Sequence, residues 1–131
     1  MNDEERLAVA RDMVEAWNTL DWERVVGLFA PDGVLHSVMQ EPLTGREAIR
    51  NRLTVLTDGL ERLSLQIRAM GVIGGRVFME RLDVFDVRGS HGEVPVVGVL
   101  TIRDGLVTEW LEYYDRATLL RGMGLAQDFA A

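Results

Sequence analysis

The hydrophobic period of this chain changes once, near residue 63, and that change constrains the fold more than any other feature. Before it, apolar residues recur three or four positions apart, which is typical of amphipathic helices. After it, Leu63, Leu65 and Ile67 alternate with polar residues, which is typical of strands with one buried face. The order predicts helices segregated from a run of antiparallel strands, which is an α+β fold.

The first sixty residues predict three helices and one strand. Asn2 and Glu5 form a capping box for a helix over about residues 3–19, and Asp21 caps a second helix from Trp22 to Phe29. Pro31-Asp32-Gly33 predicts a turn, and a strand follows it to about Met39. A second capping box, Thr44-Gly45-Arg46-Glu47, predicts the start of a third helix that carries Ile49, Leu53 and Leu56, and Asp58-Gly59 predicts its end.

The second half predicts four strands joined by short connections. Gly74-Gly75 and Asp104-Gly105 are hairpin signals, and Arg88 to Glu93 predicts a polar loop. A sheet of this kind must bury one face against the helices, and if it curls it leaves a cone with an open mouth, which is a natural pocket. The strands are expected from Leu63, over Arg76–Val87, over Val94–Ile102 and over Leu106–Asp115, followed by a short helix or turn over Leu119–Leu125.

Length, charge and cysteine content exclude several classes of function. The 131 residues fit one domain, residues 1–131, without a linker or repeat. A net charge of −7 disfavours nucleic acid and anionic membrane surfaces as partners. The chain has no cysteine, so disulfides, thiol nucleophiles and Cys-ligated zinc are excluded. With an acidic N-terminus and no apolar run of ~20 residues, a cytoplasmic protein is expected.

Three predicted strands each place an ionisable side chain in an otherwise apolar row. Side chains two positions apart on a strand share a face, so the neighbours of each charged group can be read from the alternation. The rows are Met79, Arg81, Asp83 and Phe85 on one strand, Trp110, Glu112 and Tyr114 on the last strand, and Val34, His36 and Val38 on the first.

Two carboxylates beside one arginine have a specific chemical capacity. The guanidinium lowers the cost of ionising a buried carboxylate, and the two acids titrate as a coupled set, one losing its proton readily and the other keeping it. One cavity would then hold a general base and a general acid, each worth about 10²–10⁴ in rate. Arg81, Asp83 and Glu112 are the candidates for this arrangement.

Each candidate also has a plainer interpretation. Arg81 and Asp83 would equally suit a cross-strand pair on a solvated face, and Glu112 an edge strand. A lone histidine such as His36 is more often a hydrogen-bonded structural residue than a catalyst, and the tryptophans are more often core residues than ligand contacts. His36 and His91 are the only histidines and match no metal motif, so no metal site is predicted.

Two segments around these residues carry a recognisable pattern. Glu80–Val84 contains Arg-x-Asp, and Val97–Asp115 contains a hairpin that ends Trp-x-acid-Tyr-aromatic-Asp. Both resemble the limonene-1,2-epoxide hydrolase family. Leu28–Val34 and Pro42–Ile49 resemble the wider superfamily of cone-shaped domains typified by nuclear transport factor 2. The superfamily resemblance spans nearly the whole chain and implies a curved mixed or antiparallel sheet packed against N-terminal helices.

The resemblance implies a one-step hydrolysis with neither a covalent intermediate nor a cofactor. In that family an aspartate held with a tyrosine and an asparagine activates water, a second aspartate protonates the epoxide oxygen, and an arginine bridges the two acids. Carried onto this chain, Arg81 is the bridge, Asp83 the acid and Glu112 the water-activating base. The tyrosine position falls on His36, which can hold water or share the base role, and the asparagine position falls on Val38, which cannot hydrogen-bond.

A small apolar epoxide is the expected substrate, and a homodimer is the expected assembly. The dimer is implied by the resemblance and by apolar residues on both faces of the strands, since the helices cover only one face. The expected substrate contacts are the apolar and aromatic neighbours of the charged groups, namely Val38, Met79, Phe85, Trp110 and Tyr114.

Two alternative functions remain open from the sequence. One is a cyclase or isomerase of the same superfamily that acts on a polyketide or steroid-like compound, in which an internal nucleophile replaces water. The other is a non-catalytic domain that holds an apolar ligand. Convergence of Arg81, Asp83 and Glu112 in one pocket favours an enzyme, and scatter over the sheet surface favours binding.

Overall fold

The computed structural model describes residues 1–129, and its helices and strands follow the predicted order. The elements are α1 (Asp3–Asn18), α2 (Trp22–Leu28), β1 (Phe29–Ser37), β2 (Leu43–Thr44), α3 (Arg46–Leu56), β3 (Leu60–Ile73), β4 (Arg76–Val87), β5 (Ser90–Arg103), β6 (Leu106–Tyr113) and α4 (Arg116–Gly122). The predicted α+β architecture, with a curved sheet packed against N-terminal helices, is confirmed.

The six strands form one mixed sheet in the order β2-β1-β6-β5-β4-β3. Consecutive strands from β3 to β6 are antiparallel neighbours, because tight turns join them. Strand β1 instead pairs in parallel with β6, so the first long strand lies beside the last. This pairing sets Ser37 opposite Glu112, although 75 positions separate them in the chain.

Helices α1, α2 and α3 lie on the inner face of the sheet and bury its apolar rows. Met13, Phe29 and Ile49 are fully buried there. Trp17 meets the ring of Trp110 edge to face, with 5.9 Å between ring centroids, an arrangement that aromatic pairs favour. Among residues 1–129, no helix is both long enough and apolar enough to cross a membrane.

The predicted N-terminal caps of the first two helices are confirmed. Glu5 N donates to Asn2 Oδ1 at 2.8 Å, and Asn2 N donates back to Glu5 Oε1 at 3.4 Å. Asp21 accepts from Arg24 N at 3.2 Å at the start of α2. These bonds satisfy backbone donors that the first helical turn leaves without a partner.

The predicted capping box of the third helix is wrong. Gly45, at φ +92°, is the N-cap of α3, and no side chain caps the helix. Thr44 is unavailable because it pairs with Val34 in the short strand β2, which was not predicted. Tertiary pairing with β1 therefore overrides the local cap signal.

Three further boundaries differ from the predictions. Pro31-Asp32-Gly33 is not a turn but part of β1, where the register with β6 shifts between Phe29 and Val34. The polar loop expected at Arg88–Glu93 is only a two-residue turn, and β5 begins at Ser90. The last strand ends before Asp115, because that side chain caps α4 and so starts the terminal helix earlier than expected.

Candidate active site

A cavity of about 560 Å³ opens between the inner face of the sheet and the helices, within the size range of small-molecule sites. Two polar clusters interrupt its apolar wall. We call the buried one the deep cluster (Arg81, Asp83 and Glu112). We call the less buried one the mouth cluster; it consists of Gln40, Arg52, Arg116 and Phe129, which line the cavity, and Asp128, which is hydrogen-bonded to Gln40 and Arg116. The apolar wall between them includes Leu56, Leu63, Leu65, Phe85, Val96 and Leu119.

Arg81 holds both carboxylates of the deep cluster with four hydrogen bonds. Its Nε and Nη2 donate to Asp83 at 3.0 and 2.8 Å, and its Nη1 and Nη2 donate to Glu112 at 3.2 and 2.8 Å. The Arg81 side chain is 2% exposed, against 19% for Asp83 and 13% for Glu112. The predicted contact of Arg81 with both acids is confirmed, and the alternative of a pair on a solvated face is wrong.

The salt bridges of the deep cluster cross strand β5, and a glycine makes that crossing possible. Gly98 pairs with Met79 on one side and with Glu112 on the other. A Cβ atom there would lie 2.7 Å from Arg81 Nη1, closer than Cβ atoms approach other heavy atoms, and 3.0 Å from Glu112 Oε2, which is a tight contact. Gly98 was not predicted as part of the site, although a glycine inside an apolar strand is a known sign of close approach.

Burial and charge pull the pKa values of this cluster in opposite directions. Burial raises the pKa of Glu112 above its ordinary value of 4.5 and outweighs the attraction of Arg81, which lowers it. Burial also works to lower the pKa of Arg81, but the two carboxylates more than offset it, so the guanidinium stays charged. A carboxylate with a raised pKa is a stronger base once it is ionised.

The predicted substrate contacts divide into those that line the cavity and those that do not. Phe85, Trp110 and Tyr114 line it, and the Arg81 guanidinium lies 5.7 Å from the Trp110 ring centroid. Met79 is fully buried in the core and lies outside the cavity wall. The inclusion of Met79 is wrong because its side chain packs within the main hydrophobic core instead of facing the cavity.

The predicted placement of His36 and Val38 in the cavity is also wrong. Ser37 lines the cavity beside Glu112, so its two chain neighbours point to the opposite face of the sheet. His36 Nε2 instead lies 2.7 Å from the backbone oxygen of Gln40, which is the structural role its plainer interpretation gave it.

A pair of hydroxyl groups stands where those two residues were expected. Ser37 Oγ and Tyr114 Oη are 2.8 Å apart, and Arg116 Nη1 donates to the same Tyr114 oxygen. Tyr114 was predicted only as a substrate contact, and Ser37 was missed. The sequence carried no signal for Ser37, because the face of β1 that enters the cavity is set by the parallel pairing with β6.

The mouth cluster is built around a carboxylate from the C-terminal segment. Arg116 donates to Asp128 through Nε at 3.0 Å and Nη2 at 2.5 Å, and Gln40 Nε2 donates to Asp128 Oδ2 at 2.7 Å. The Phe129 ring centroid lies 5.9 Å from the Arg52 guanidinium and 5.8 Å from that of Arg116. The hydrogen bonds from Arg116 hold the pKa of Asp128 below its ordinary value of 3.8.

Within residues 1–129, no group of three or more His, Asp or Glu side chains is placed to hold a metal ion. His91, the second histidine, lies on the exposed surface between Asp86 at 2.7 Å and Glu93 at 2.9 Å. Those two hydrogen bonds, with Glu93 contributing most, raise the pKa of His91.

Comparison with known proteins gives a family and a set of structural neighbours. Residues 10–110 match the model of the SnoaL-like domain. An LEH-like epoxide hydrolase from M. tuberculosis is similar over 92% of this chain and 90% of its own, with 21% identity and a TM-score of 0.80. A candidate polyketide cyclase from Xanthomonas campestris is similar over 94% of this chain and 99% of its own, with 21% identity and a TM-score of 0.82.

A third neighbour is a protein of ketosteroid isomerase-like fold from Catenulispora acidiphila, solved with trimethylamine. It is similar over 94% of this chain and 97% of its own, with 23% identity and a TM-score of 0.79. Likeness at these identities establishes a shared fold. The expected fold of the nuclear transport factor 2 superfamily is therefore confirmed.

Proposed function

The chain belongs to the SnoaL-like domain family, and on that premise we propose that it is a cofactor-independent epoxide hydrolase acting on a small lipophilic epoxide. The observation that carries the proposal is the deep cluster, in which one arginine bridges two carboxylates inside a largely apolar cavity. The similar fold of an LEH-like epoxide hydrolase supports it.

The proposed reaction is a single addition of water with two proton transfers. Glu112, in its ionised form, takes a proton from water while the water oxygen bonds to a ring carbon. The ring C–O bond breaks, and the epoxide oxygen takes the proton of Asp83, which gives a diol. One proton is gained by Glu112 and one is lost by Asp83, so exchange with solvent restores the starting state. Arg81 orients both acids, and each proton transfer contributes about 10²–10⁴ in rate.

The hydroxyl pair takes the water-holding role that the resemblance had given to other positions. Ser37 faces Glu112 across the β1–β6 pairing, and its hydroxyl is already oriented by Tyr114. A water between Glu112 and this pair would find an acceptor and a hydroxyl partner on adjacent strands. This replaces the tyrosine and asparagine of the epoxide hydrolases by a serine and a tyrosine.

A cyclase or isomerase of the same superfamily is the second candidate. Structural neighbours that include a candidate polyketide cyclase favour it as much as the epoxide hydrolase neighbour favours the first. The same acid–base pair would then deprotonate an internal hydroxyl or a carbon acid instead of water. A non-catalytic domain that binds an apolar ligand is the third possibility, and the buried pairing of Arg81 with two carboxylates argues against it.

Product analysis separates these candidates. The protein is incubated with terpene, aryl and alkyl epoxides in ¹⁸O-labelled water, alongside Asp83→Asn. A hydrolase gives a labelled diol, and Asp83→Asn lowers its rate at least about hundredfold because the proton donor is lost. Epoxides that carry an internal hydroxyl distinguish a cyclase from a hydrolase, because a cyclase converts them to an unlabelled ring.

Asp86→Asn is the matched control, since Asp86 lies on the same strand with its carboxylate held at the surface by His91. It should leave the rate unchanged. Equal rates in wild type and Asp83→Asn, or no turnover of any epoxide, would overturn the proposal.

A homodimer through the outer face of the sheet is proposed as the assembly. Val97 and Tyr113 pair across β5 and β6 on that face and are 38% and 47% exposed, although both are largely apolar. Exposed apolar side chains that lie side by side on a sheet face are where we expect a second copy to pack. Light scattering at high micromolar concentration should give twice the chain mass, and Val97→Arg should give a monomer. A monomeric wild type would contradict the proposal.

A further inference from the structure

The chain's own C-terminal segment acts as a ligand of the cavity mouth. Asp128 receives two hydrogen bonds from Arg116 and one from Gln40, a bidentate arrangement that guanidinium groups form with carboxylates. Phe129 follows it and lines the cavity with its ring against Arg52 and Arg116. A carboxylate with an apolar group attached is thus bound at the rim by this chain itself.

We propose that the mouth cluster is a carboxylate subsite, and that the physiological ligand is an amphiphilic acid whose carboxylate replaces Asp128 on Arg116 and Gln40. The inference rests on the proposed function only in naming the substrate class, an epoxide that carries a carboxylate at the end away from the ring. The body of the ligand would lie along the apolar wall, and its reactive group would reach the deep cluster.

The geometry of strand β6 and its extension fits one ligand spanning both clusters. Glu112 and Tyr114 share the inner face, and Arg116 follows two residues later, so the Cα atoms of Glu112 and Arg116 are at most about 14 Å apart. Much of the cavity lining consists of leucine, valine and aromatic side chains. Glu41 also lines the cavity, and it is exposed to solvent, which weakens its repulsion of a bound carboxylate.

Binding of simple amphiphiles tests the subsite without any turnover. Decanoate and 1-decanol, each below its aggregation limit, are titrated at pH 7 and followed by tryptophan fluorescence, since Trp17 and Trp110 line the cavity. In Asp128→Asn, which removes the competing carboxylate, decanoate should bind at least about tenfold more tightly than 1-decanol, the worth of one charge-assisted hydrogen bond. In the wild type the preference should be smaller, because Asp128 competes.

Variants of the arginines test which side chain causes the preference for decanoate over 1-decanol. Arg116→Gln in the Asp128→Asn background should abolish the preference for decanoate and leave the affinity for 1-decanol unchanged. Arg52→Gln should lower the preference by a few fold. Arg121→Gln is the matched control, because Arg121 lies on the same helix, is exposed and does not line the cavity. It should change neither affinity.

The outcomes separate this inference from the proposed function. Equal affinities for decanoate and 1-decanol in Asp128→Asn, or a loss of both affinities in Arg116→Gln with the fold intact by circular dichroism, would overturn the carboxylate subsite. Turnover of neutral epoxides with no preference for acidic ones would likewise overturn it and leave the hydrolase proposal standing. Tight, Arg116-dependent binding of decanoate with no turnover of any epoxide would support the subsite and overturn the hydrolase.

Discussion

The deep cluster and the mouth cluster place the same chemistry, arginine on carboxylate, at two ends of one cavity. At the deep end one arginine serves two carboxylates from strands β4 and β6, and the three side chains are 2% to 19% exposed. At the mouth, Arg116 meets one carboxylate from the C-terminal segment, whose side chain is 35% exposed. The two clusters therefore differ in the number of carboxylates per arginine and in how exposed those carboxylates are.

Burial decides what each ion pair can do. A buried pair cannot readily exchange its partners for water, so the deep cluster keeps a fixed geometry, and burial raises the pKa of Glu112. The mouth pair is less buried, with Arg116 15% and Asp128 35% exposed, so solvent can hydrate the Asp128 carboxylate when that of a ligand replaces it. The comparison assigns the proposed chemistry to the rigid cluster and ligand recognition to the exchangeable one.

The largest expected effect is the loss of the base in the deep cluster. Glu112→Gln keeps the shape of the side chain and removes the proton acceptor, so turnover of an accepted epoxide should fall at least about hundredfold. The same measurement on Asp128→Asn should show unchanged turnover of neutral epoxides. Unchanged turnover in Glu112→Gln, with the circular dichroism spectrum preserved, would show that the assignment of the base is wrong.

Removing the arginine of each cluster should lower the free energy of unfolding by different amounts. Arg81→Met leaves two buried carboxylates without a partner, so the free energy of unfolding at pH 7 should fall by about 3–5 kcal/mol. The loss should shrink at pH 5, because carboxylates without the arginine take up protons more readily. Arg116→Met should cost less, because Asp128 is 35% exposed and solvent can hydrate its carboxylate once the arginine is gone. Urea denaturation measures both, and equal losses would contradict the distinction between the clusters.

A methyl group at Gly98 should disturb the deep cluster alone. In Gly98→Ala the new Cβ meets Arg81 Nη1 at 2.7 Å, so the salt bridge must shift. We expect a loss of about 1–3 kcal/mol in stability, as in other overpacked sites, together with lower turnover. Gly71→Ala is the matched control on edge strand β3, where an added Cβ has no heavy atom within 4 Å. Similar losses in the two variants would contradict the crossing role of Gly98.

Sequence patterns predicted the deep cluster because its geometry is set locally. Alternation within β4 places Arg81 and Asp83 on one face, and the Asp104-Gly105 hairpin brings Glu112 alongside through β5. The prediction of which β1 residues face the cavity was wrong, because that face is set by a parallel pairing with β6, between segments far apart in the chain. No periodicity encodes such a pairing, so Ser37 could not be told from its neighbours.

The mouth cluster had no signal in the sequence at all. Asp128 meets Gln40 across 88 positions and Arg116 across 12, and it follows the last regular element. Contacts between a terminal segment and a loop depend on the completed fold rather than on local propensity. The fold class was accessible because hydrophobic periods and hairpin turns are local, whereas these side-chain contacts are not.

The carboxylates of the two clusters should also become protonated at different pH values. Burial raises the pKa of Glu112 above 4.5, so its ionised form, the proposed base, is lost as the pH falls through a value higher than that of an ordinary glutamate. Hydrogen bonds from Arg116 lower the pKa of Asp128 below 3.8, so the mouth ion pair persists until a lower pH. The acid limb of kcat/KM should therefore lie above pH 4.5, while carboxyl signals in NMR titrations show Asp128 still ionised there. An acid limb below pH 4.5 would contradict this order.

The smallest effects should come from strand β1, where two adjacent positions face opposite sides of the sheet. Ser37→Ala removes one partner of the proposed water and leaves Tyr114 Oη with Arg116 alone, so turnover should fall about two- to tenfold, the worth of one neutral hydrogen bond. Val38→Asn would supply the water ligand of the epoxide hydrolases only if that side chain reached the cavity. Because Val38 lies outside the cavity wall, Val38→Asn should leave both the rate and the ratio of diol to ring unchanged. A rise in hydrolysis in Val38→Asn, with no loss in Ser37→Ala, would show that the opposite face of β1 meets the substrate and that the water-holding role of Ser37 is wrong.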